Sequence, residues 1–157
     1  MSNVVLAVAT STVIVFAVSA QPRPDFSGLW QLDVARSDGT AYGEGPGPVG
    51  ISITQSSSEI QIATTTSRGT TSVSYTFATA GRPLTPGTPV ARWQGSALIT
   101  EAIRDIRGQS VTVQQTRRLA GDGREMIVDS VVNVQHGYSV AGAKVYGAAK
   151  DVFVRSR

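Results

Sequence analysis

The chain has 157 residues, of which 16% are charged, and a formal net charge of +3 at neutral pH. It contains no cysteine, which excludes disulfide bonds, thiol catalysis and cysteine-based metal sites. Basic and acidic residues are interspersed, without the basic and aromatic interleaving of a nucleic-acid surface, so nucleic acid is excluded as a predicted partner.

Residues 1–20 are typical of an export signal. Apolar residues dominate from Val4 to Val18, and Ser19 and Ala20 are small, as at cleavage sites. We expect cleavage after Ala20, which leaves residues 21–157 as one secreted or periplasmic domain with no membrane span. The alternative is a retained transmembrane anchor, but a polar break at Thr10-Ser11-Thr12 counts against it.

The first predicted strand of the mature chain lies within Pro24–Asp33 and has one apolar face. That face consists of Phe26, Gly28, Trp30 and Leu32, which alternate with mostly polar residues. Burial of an indole contributes about 4–6 kcal/mol as an upper bound. We therefore expect later strands to close over Trp30.

The rest of the chain alternates with a period of two and has no comparable helical periodicity. Residues 34–48, rich in Gly and Pro, form a predicted long loop, and residues 78–89 form another because they contain three prolines. Predicted strands lie around Ile53, Ile62, Tyr75 and Val128, and over Val90–Gln94, Ala97–Ile103, Val111–Leu119 and Lys144–Arg155.

Tight turns predict how neighbouring strands pair. The turns are placed at Ser57-Ser58, at Arg68-Gly69 and at Asp122-Gly123, the last being the strongest hairpin signal in the chain. The pairs that follow are Ile53 with Ile62, Thr64 with Val73, Ile62 with Tyr75, Leu119 with Met126, and Gln115 with Ser130.

Eight to nine antiparallel strands of this kind form either a closed barrel or a sandwich of two sheets. Closure removes exposed strand edges, and an eight-stranded barrel is just wide enough to be filled by side chains or to hold one small ligand. We predict an all-β fold, a single antiparallel up-and-down barrel, with the sandwich as the alternative.

The stretch Gly28-Leu29-Trp30 resembles the G-x-W signature that opens the first strand of lipocalins and the wider calycin group. The resemblance implies a tryptophan at the closed end of the barrel, with a basic residue of the last strand packed across it. Arg155 is the best-placed match, followed by Lys150. Gly28, Trp30 and Arg155 are therefore expected to have structural roles. The longer stretch from Asp25 to Ser37 resembles small secreted bacterial lipocalin-like domains of unassigned function.

Several polar residues alternate with apolar ones and so share the predicted inward face. We predict that they line a ligand site with two aromatic neighbours, because a cavity with apolar walls and a few convergent polar groups is the usual form of such a site. A buried carboxylate is costly, so the glutamate is expected to pair with the arginine, to be hydrated or to be protonated. The alternative is that these polar residues point into water at a barrel rim. The predicted ligand-binding residues are Glu101, Gln115, Arg117, Ser130, Tyr75 and Trp93.

We predict no catalytic residue, no metal ligand and no cofactor. His136 is the only histidine and adjoins Gly137 in a predicted turn, so we interpret it as a surface residue. Asp122 is explained by the turn that it forms with Gly123. No nucleophile motif surrounds Ser139. We therefore expect the protein not to be an enzyme.

Together these features predict a secreted or periplasmic barrel that binds a small hydrophobic or amphiphilic molecule in its interior. The alternative is a structural or interaction protein, a filled barrel whose Ser- and Thr-rich outer faces contact an envelope partner or further copies of the chain. The volume left inside the barrel distinguishes the two. The sequence leaves the ligand's identity and the oligomeric state open.

Overall fold

A computed structural model describes residues 23–38, 49–78, 87–106, 109–134 and 145–156. A short 3-10 helix, Val34–Arg36, follows the first strand. The strands are β1 (Gly28–Leu32), β2 (Gly50–Gln55), β3 (Glu59–Thr66), β4 (Gly69–Phe77), β5 (Val90–Gln94), β6 (Ala97–Ile106), β7 (Gln109–Ala120), β8 (Glu125–Val134) and β9 (Val145–Arg155).

These strands form a closed barrel in which each pairs with its neighbours in chain order and β9 pairs back with β1. The prediction of a barrel rather than a sandwich is confirmed. The prediction that all neighbours are antiparallel is wrong at one place, since β4 and β5 run parallel over Thr76–Phe77 and Val90–Ala91. A tight turn forces antiparallel pairing, whereas the long segment 78–89 between β4 and β5 allows a crossover.

Most predicted registers are observed, including Ile53 with Ile62 and Gln115 with Ser130. The β3–β4 hairpin differs, because Ile62 pairs with Val73 and not with Tyr75. Its turn lies one residue earlier than predicted, and Gly69 begins β4 opposite Thr66. The Thr66 hydroxyl accepts a 3.2 Å bond from the Arg68 amide, which fixes the earlier turn. A shift of two residues leaves every side chain on its predicted face.

Trp30 is 1% exposed. It lies at the end of the barrel where the segment before β1 packs into the core and Phe26 reaches Trp93 of β5, and we call this the closed end. Its indole N–H donates a 2.9 Å hydrogen bond to the Phe26 carbonyl, and the Arg155 guanidinium lies 4.3 Å from its ring centroid. Arg155 also donates a 2.6 Å bond to the Ser27 carbonyl. The last strand therefore holds the start of the first one by a cation–π contact and a charge-assisted bond.

Gly28 is required by this packing. Its φ is +129°, a value that L side chains rarely adopt, and a Cβ there would lie 3.0 Å from Nη1 of Arg155. Both the backbone conformation and the arginine thus exclude a side chain at this position.

The segment that leads into β1 is tied to the same end of the barrel by Gln55. The Phe26 amide donates a 3.1 Å bond to the Gln55 side-chain oxygen, and the Gln55 side-chain nitrogen donates a 3.1 Å bond to the Pro24 carbonyl. One amide side chain thereby satisfies two backbone groups, and the lead is held against β2.

The predicted signal, residues 1–20, lies outside the described residues, as do His136 and Ser139. In the part of the chain that the structure describes, no helix is both long and apolar enough to cross a membrane.

Candidate ligand site in the barrel interior

The strand registers align the inward-facing residues of β5–β9 in rows. We call the first of these the upper row and the second, which lies nearer the closed end, the charged row. The upper row is Ala91, Thr100, Gln115, Ser130 and Ala149. The charged row is Trp93, Leu98, Arg117, Val128 and Asp151.

A hydrogen-bonded polar network joins the two rows. Nη1 of Arg117 donates a 2.7 Å bond to the Thr100 hydroxyl, and Nη2 donates to the Gln115 side-chain oxygen. The Gln115 side-chain nitrogen donates a 3.1 Å bond to the Ser130 hydroxyl. All four residues are at most 6% exposed. The predicted proximity of Gln115, Arg117 and Ser130 is thus observed inside the barrel, and Thr100 joins them.

Asp151 brings a second charged group into the interior. It is 0% exposed and stands in the charged row with Arg117, separated from it by the Val128 position on β8. Because Arg117 and Asp151 lie two strands apart, their Cα atoms are separated by about 10 Å. An arginine side chain is long enough to cover much of that distance. A buried carboxylate and a buried guanidinium are therefore placed where each can compensate the charge of the other.

Glu101 does not belong to this interior group, and the prediction that it faces inward beside Gln115 and Arg117 is wrong. In the β6–β7 ladder Thr100 is opposite Gln115, so Glu101 is opposite Gln114 on the outer face. The Gln114 side-chain nitrogen donates a 3.2 Å bond to the Glu101 carboxylate. The physical reason is that successive residues of a strand point to opposite faces, so an error of one residue moves all the side chains that were predicted to face inward on β6 to the outer face.

Tyr75 and Trp93 face inward but pack within the apolar core. Tyr75 is 2% exposed. Trp93 stacks on Phe77 with ring centroids 5.7 Å apart and lies 6.1 Å from the Phe26 ring. Its indole N–H is buried and has no hydrogen-bond partner among the described residues. Both aromatics line the barrel toward its closed end.

The side chains next to the polar network, on the side away from the charged row, are mostly small. Apart from Gln115, the upper row consists of Ala, Thr and Ser, and the next row along β6–β8 is Ala102, Val113 and Val132. Exposed fractions in the upper row range from 0% for Ala91 to 8% for Ala149. The polar network is therefore bordered on this side by short and medium-sized side chains.

Sequence reasoning missed Thr100 and Asp151. Thr100 shares its parity with Leu98, and Asp151 shares its parity with Phe153, but Ile99 and Val152 on the opposite parity are buried as well. Alternation alone therefore does not identify the inward face of these two strands.

Among the described residues no group of three His, Asp or Glu side chains could hold a metal ion. Asp122 lies in the β7–β8 turn, where its carboxylate accepts a 3.1 Å bond from the Arg124 amide and pairs with the Arg124 side chain at 2.9 Å. This contact is the turn chemistry that Asp-Gly predicts.

A depression of about 170 Å³ lies on the outside of the barrel, at the β2–β3 hairpin. It is lined by polar residues, among them Thr54, Glu59 and Gln61. Because it opens to solvent on the outer face, it is separate from the interior polar network.

No known protein family and no curated protein matches the sequence. Among solved structures, the chain is similar to a mutant of the fluorescent protein UnaG, at 12% identity and a TM-score of 0.46. The match covers 84% of this chain and 96% of the other. A likeness of this size says nothing of function. The strands that the structure describes form a closed barrel in which Arg155 packs over Trp30, the contact that the resemblance to lipocalins implied.

Proposed function

We propose that this protein binds a small hydrophobic or amphiphilic molecule inside its barrel, oriented by Gln115, Arg117, Ser130 and Thr100. The observation that carries the proposal is a buried polar network beside rows of small side chains. Apolar walls around a few convergent polar groups are the common form of a small-molecule site.

The energetics of burial support this proposal. Ion pairs and polar side chains inside a protein are often replaced by apolar residues with no loss of stability. A barrel of this size could be filled by apolar side chains alone. A function that uses the polar groups gives a reason for keeping them.

We propose binding rather than catalysis, and a location outside the cytoplasm. The Ser130 hydroxyl accepts a bond from the Gln115 amide, and an amide cannot remove the proton that a nucleophilic serine must lose. The apolar segment at residues 1–20 and the absence of cysteine are consistent with a periplasmic or secreted protein.

Titration with N-phenyl-1-naphthylamine, an uncharged fluorescent probe, tests the proposed site. The wild-type protein should bind the probe, and Gln115→Ala should weaken binding by about tenfold, since one polar contact contributes of the order of 1–2 kcal/mol. Glu101→Ala is the matched control on the outer face and should bind as the wild type does. Probe binding that is absent, or equal in the folded Gln115→Ala variant, would contradict the proposal.

Mass spectrometry under non-denaturing conditions, on protein purified from its native host, would identify a bound molecule directly. We expect a mass in excess of the polypeptide that is lost on denaturation. Protein that carries no added mass and binds no probe would count against a ligand-binding role.

The second candidate is a filled barrel that contacts an envelope partner or copies of itself. Exposed apolar residues on the outer face favour it, namely Leu29 at 59% and Ile103 at 51%. Sedimentation analysis over a range of concentrations tests self-association. Leu29→Ser should abolish any dimer that buries Leu29 at its interface.

A further inference from the structure

The charges inside the barrel bear on which ligands the proposed site accepts. At the level of the polar network, the charged side chains that the structure describes as facing inward are Arg117, at 1% exposed, and Asp151, at 0%. Arg155 lies at the closed end, over Trp30. The floor of the proposed site therefore carries one positive and one negative charge.

We propose that the site takes molecules whose buried polar end is uncharged, such as an alcohol, ketone or amide, and discriminates against free carboxylates and amines. This inference rests on the binding function proposed above. It follows from charge balance, because a guanidinium compensated by a buried carboxylate offers no net charge to a ligand.

A charged ligand would disturb that balance. A ligand carboxylate near Arg117 would bring a second negative charge into the barrel interior that holds Asp151. A ligand ammonium group would bring a second positive charge beside Arg117. Like charges in a desolvated space repel strongly, and burying the extra ion has its own cost.

The groups around the network suit an uncharged oxygen or carbonyl instead. The Thr100 hydroxyl accepts from Arg117 and the Ser130 hydroxyl accepts from Gln115. A hydroxyl that accepts one bond still carries a proton that it can donate. The Thr100 and Ser130 hydroxyls are two such donors, and Ala91 and Ala149 lie in the same row. This combination suits a ligand with an uncharged polar end and an apolar body.

Displacement of N-phenyl-1-naphthylamine by three ligands of equal chain length tests the proposal. They are 1-decanol, decanoate and decylammonium, compared at about pH 7.5, where the acid and the amine are ionised. For each protein the measured quantity is the ratio of half-displacing concentrations, charged ligand over decanol. In the wild type, decanol should be the strongest competitor.

Single-charge variants should change these ratios in opposite directions. Asp151→Asn leaves the positive charge and should lower the decanoate ratio by about tenfold or more, as expected for a newly available charged hydrogen bond. Arg117→Met leaves the negative charge and should lower the decylammonium ratio similarly. Glu101→Gln, on the outer face, should leave both ratios unchanged.

The double variant Arg117→Met with Asp151→Leu covers the case in which a single variant fails to fold. With both charges removed, it should keep both ratios within about threefold of the wild type. The proposal is overturned if decanoate competes better than decanol in the wild type, if a folded Asp151→Asn protein keeps the wild-type ratio, or if the double variant changes it greatly. If the wild-type protein binds no probe, the result would instead contradict the proposed ligand-binding function itself.

Discussion

At the closed end of the barrel, polar side-chain groups bond to backbone carbonyls of the segment that precedes β1, whereas in the middle of the barrel buried polar side chains bond to one another. Trp30 donates to Phe26 and Arg155 to Ser27. Arg117 and Gln115 donate to the side chains of Thr100 and Ser130. The first arrangement fixes where strands begin and end. The second fixes no strand end, and we propose that it orients a ligand.

This comparison predicts that the closed end dominates stability. Trp30→Ala should reduce the free energy of unfolding by about 3–5 kcal/mol, because it leaves a large cavity under Arg155. Chemical denaturation followed by circular dichroism measures it. Leu29→Ala, at the exposed neighbouring position, should change stability by less than about 0.5 kcal/mol. A Trp30→Ala protein as stable as Leu29→Ala would contradict the role given to the indole.

In the polar middle, removing one charge should be costly and removing both should not. Arg117→Met should destabilise by about 3–5 kcal/mol because it leaves Asp151 buried without compensation. Adding Asp151→Leu should restore most of that loss. Arg118→Met is the matched control, since Arg118 is an exposed neighbour that pairs with Asp129 at 2.7 Å, and it should cost about 1 kcal/mol or less. Additive effects of the two interior substitutions would show that the charges are uncoupled.

Gly28→Ala sharpens the account of the closed end. We expect a loss of about 1–3 kcal/mol from the strained backbone, with more from the approach to Arg155. Gly50→Ala is the control, because a Cβ there would meet its nearest atom at an ordinary 3.8 Å. Equal stabilities of the two variants in denaturant titrations would contradict the packing described for Gly28.

The smallest expected effect is a pH dependence at the edge of the closed end. The Arg36 guanidinium, which donates a 2.7 Å bond to Asp33, holds the pKa of that carboxyl below its usual range. A lowered folded-state pKa means that the stabilisation is present above the unfolded pKa and is lost as the pH falls below about 4. Melting temperatures measured down this range should fall less steeply for Asp33→Asn. If the melting temperatures of the wild type and Asp33→Asn fell equally steeply with pH, Asp33 would not contribute to the loss of stability in acid.

The sequence predicts the β7–β8 hairpin well because an Asp-Gly turn and strict alternation agree. That agreement places Gln115 opposite Ser130. Prediction from alternation fails for β6 because both faces of that strand carry apolar residues. Leu98 and Ile99 are both buried, so alternation does not show which of them faces inward. The prediction placed Ile99 on the inner face, and with it Glu101.

Asp151 was missed for a related reason. Residues 135–144, which precede the last strand, contain no Asp-Gly or Asn-Gly turn signal, so the sequence gives no register between this strand and β8. Only the ladder itself sets Asp151 beside Val128, and hence in the row of Arg117. The placement of two charged residues in one row, two strands apart, depends on the strand ladders and does not appear in local sequence patterns.

The most direct test of the central claim is to fill the interior at Ala149 and compare it with its outer-face neighbour Ala148. Ala149→Phe should weaken binding of N-phenyl-1-naphthylamine by about tenfold or more, with an unfolding free energy within about 1 kcal/mol of Ala148→Phe, because the ring would occupy the proposed ligand site. The account would be contradicted if a folded Ala149→Phe protein bound the probe as the wild type does. It would also be contradicted if the substitution alone destabilised the barrel by several kcal/mol, as overpacking of a filled interior would.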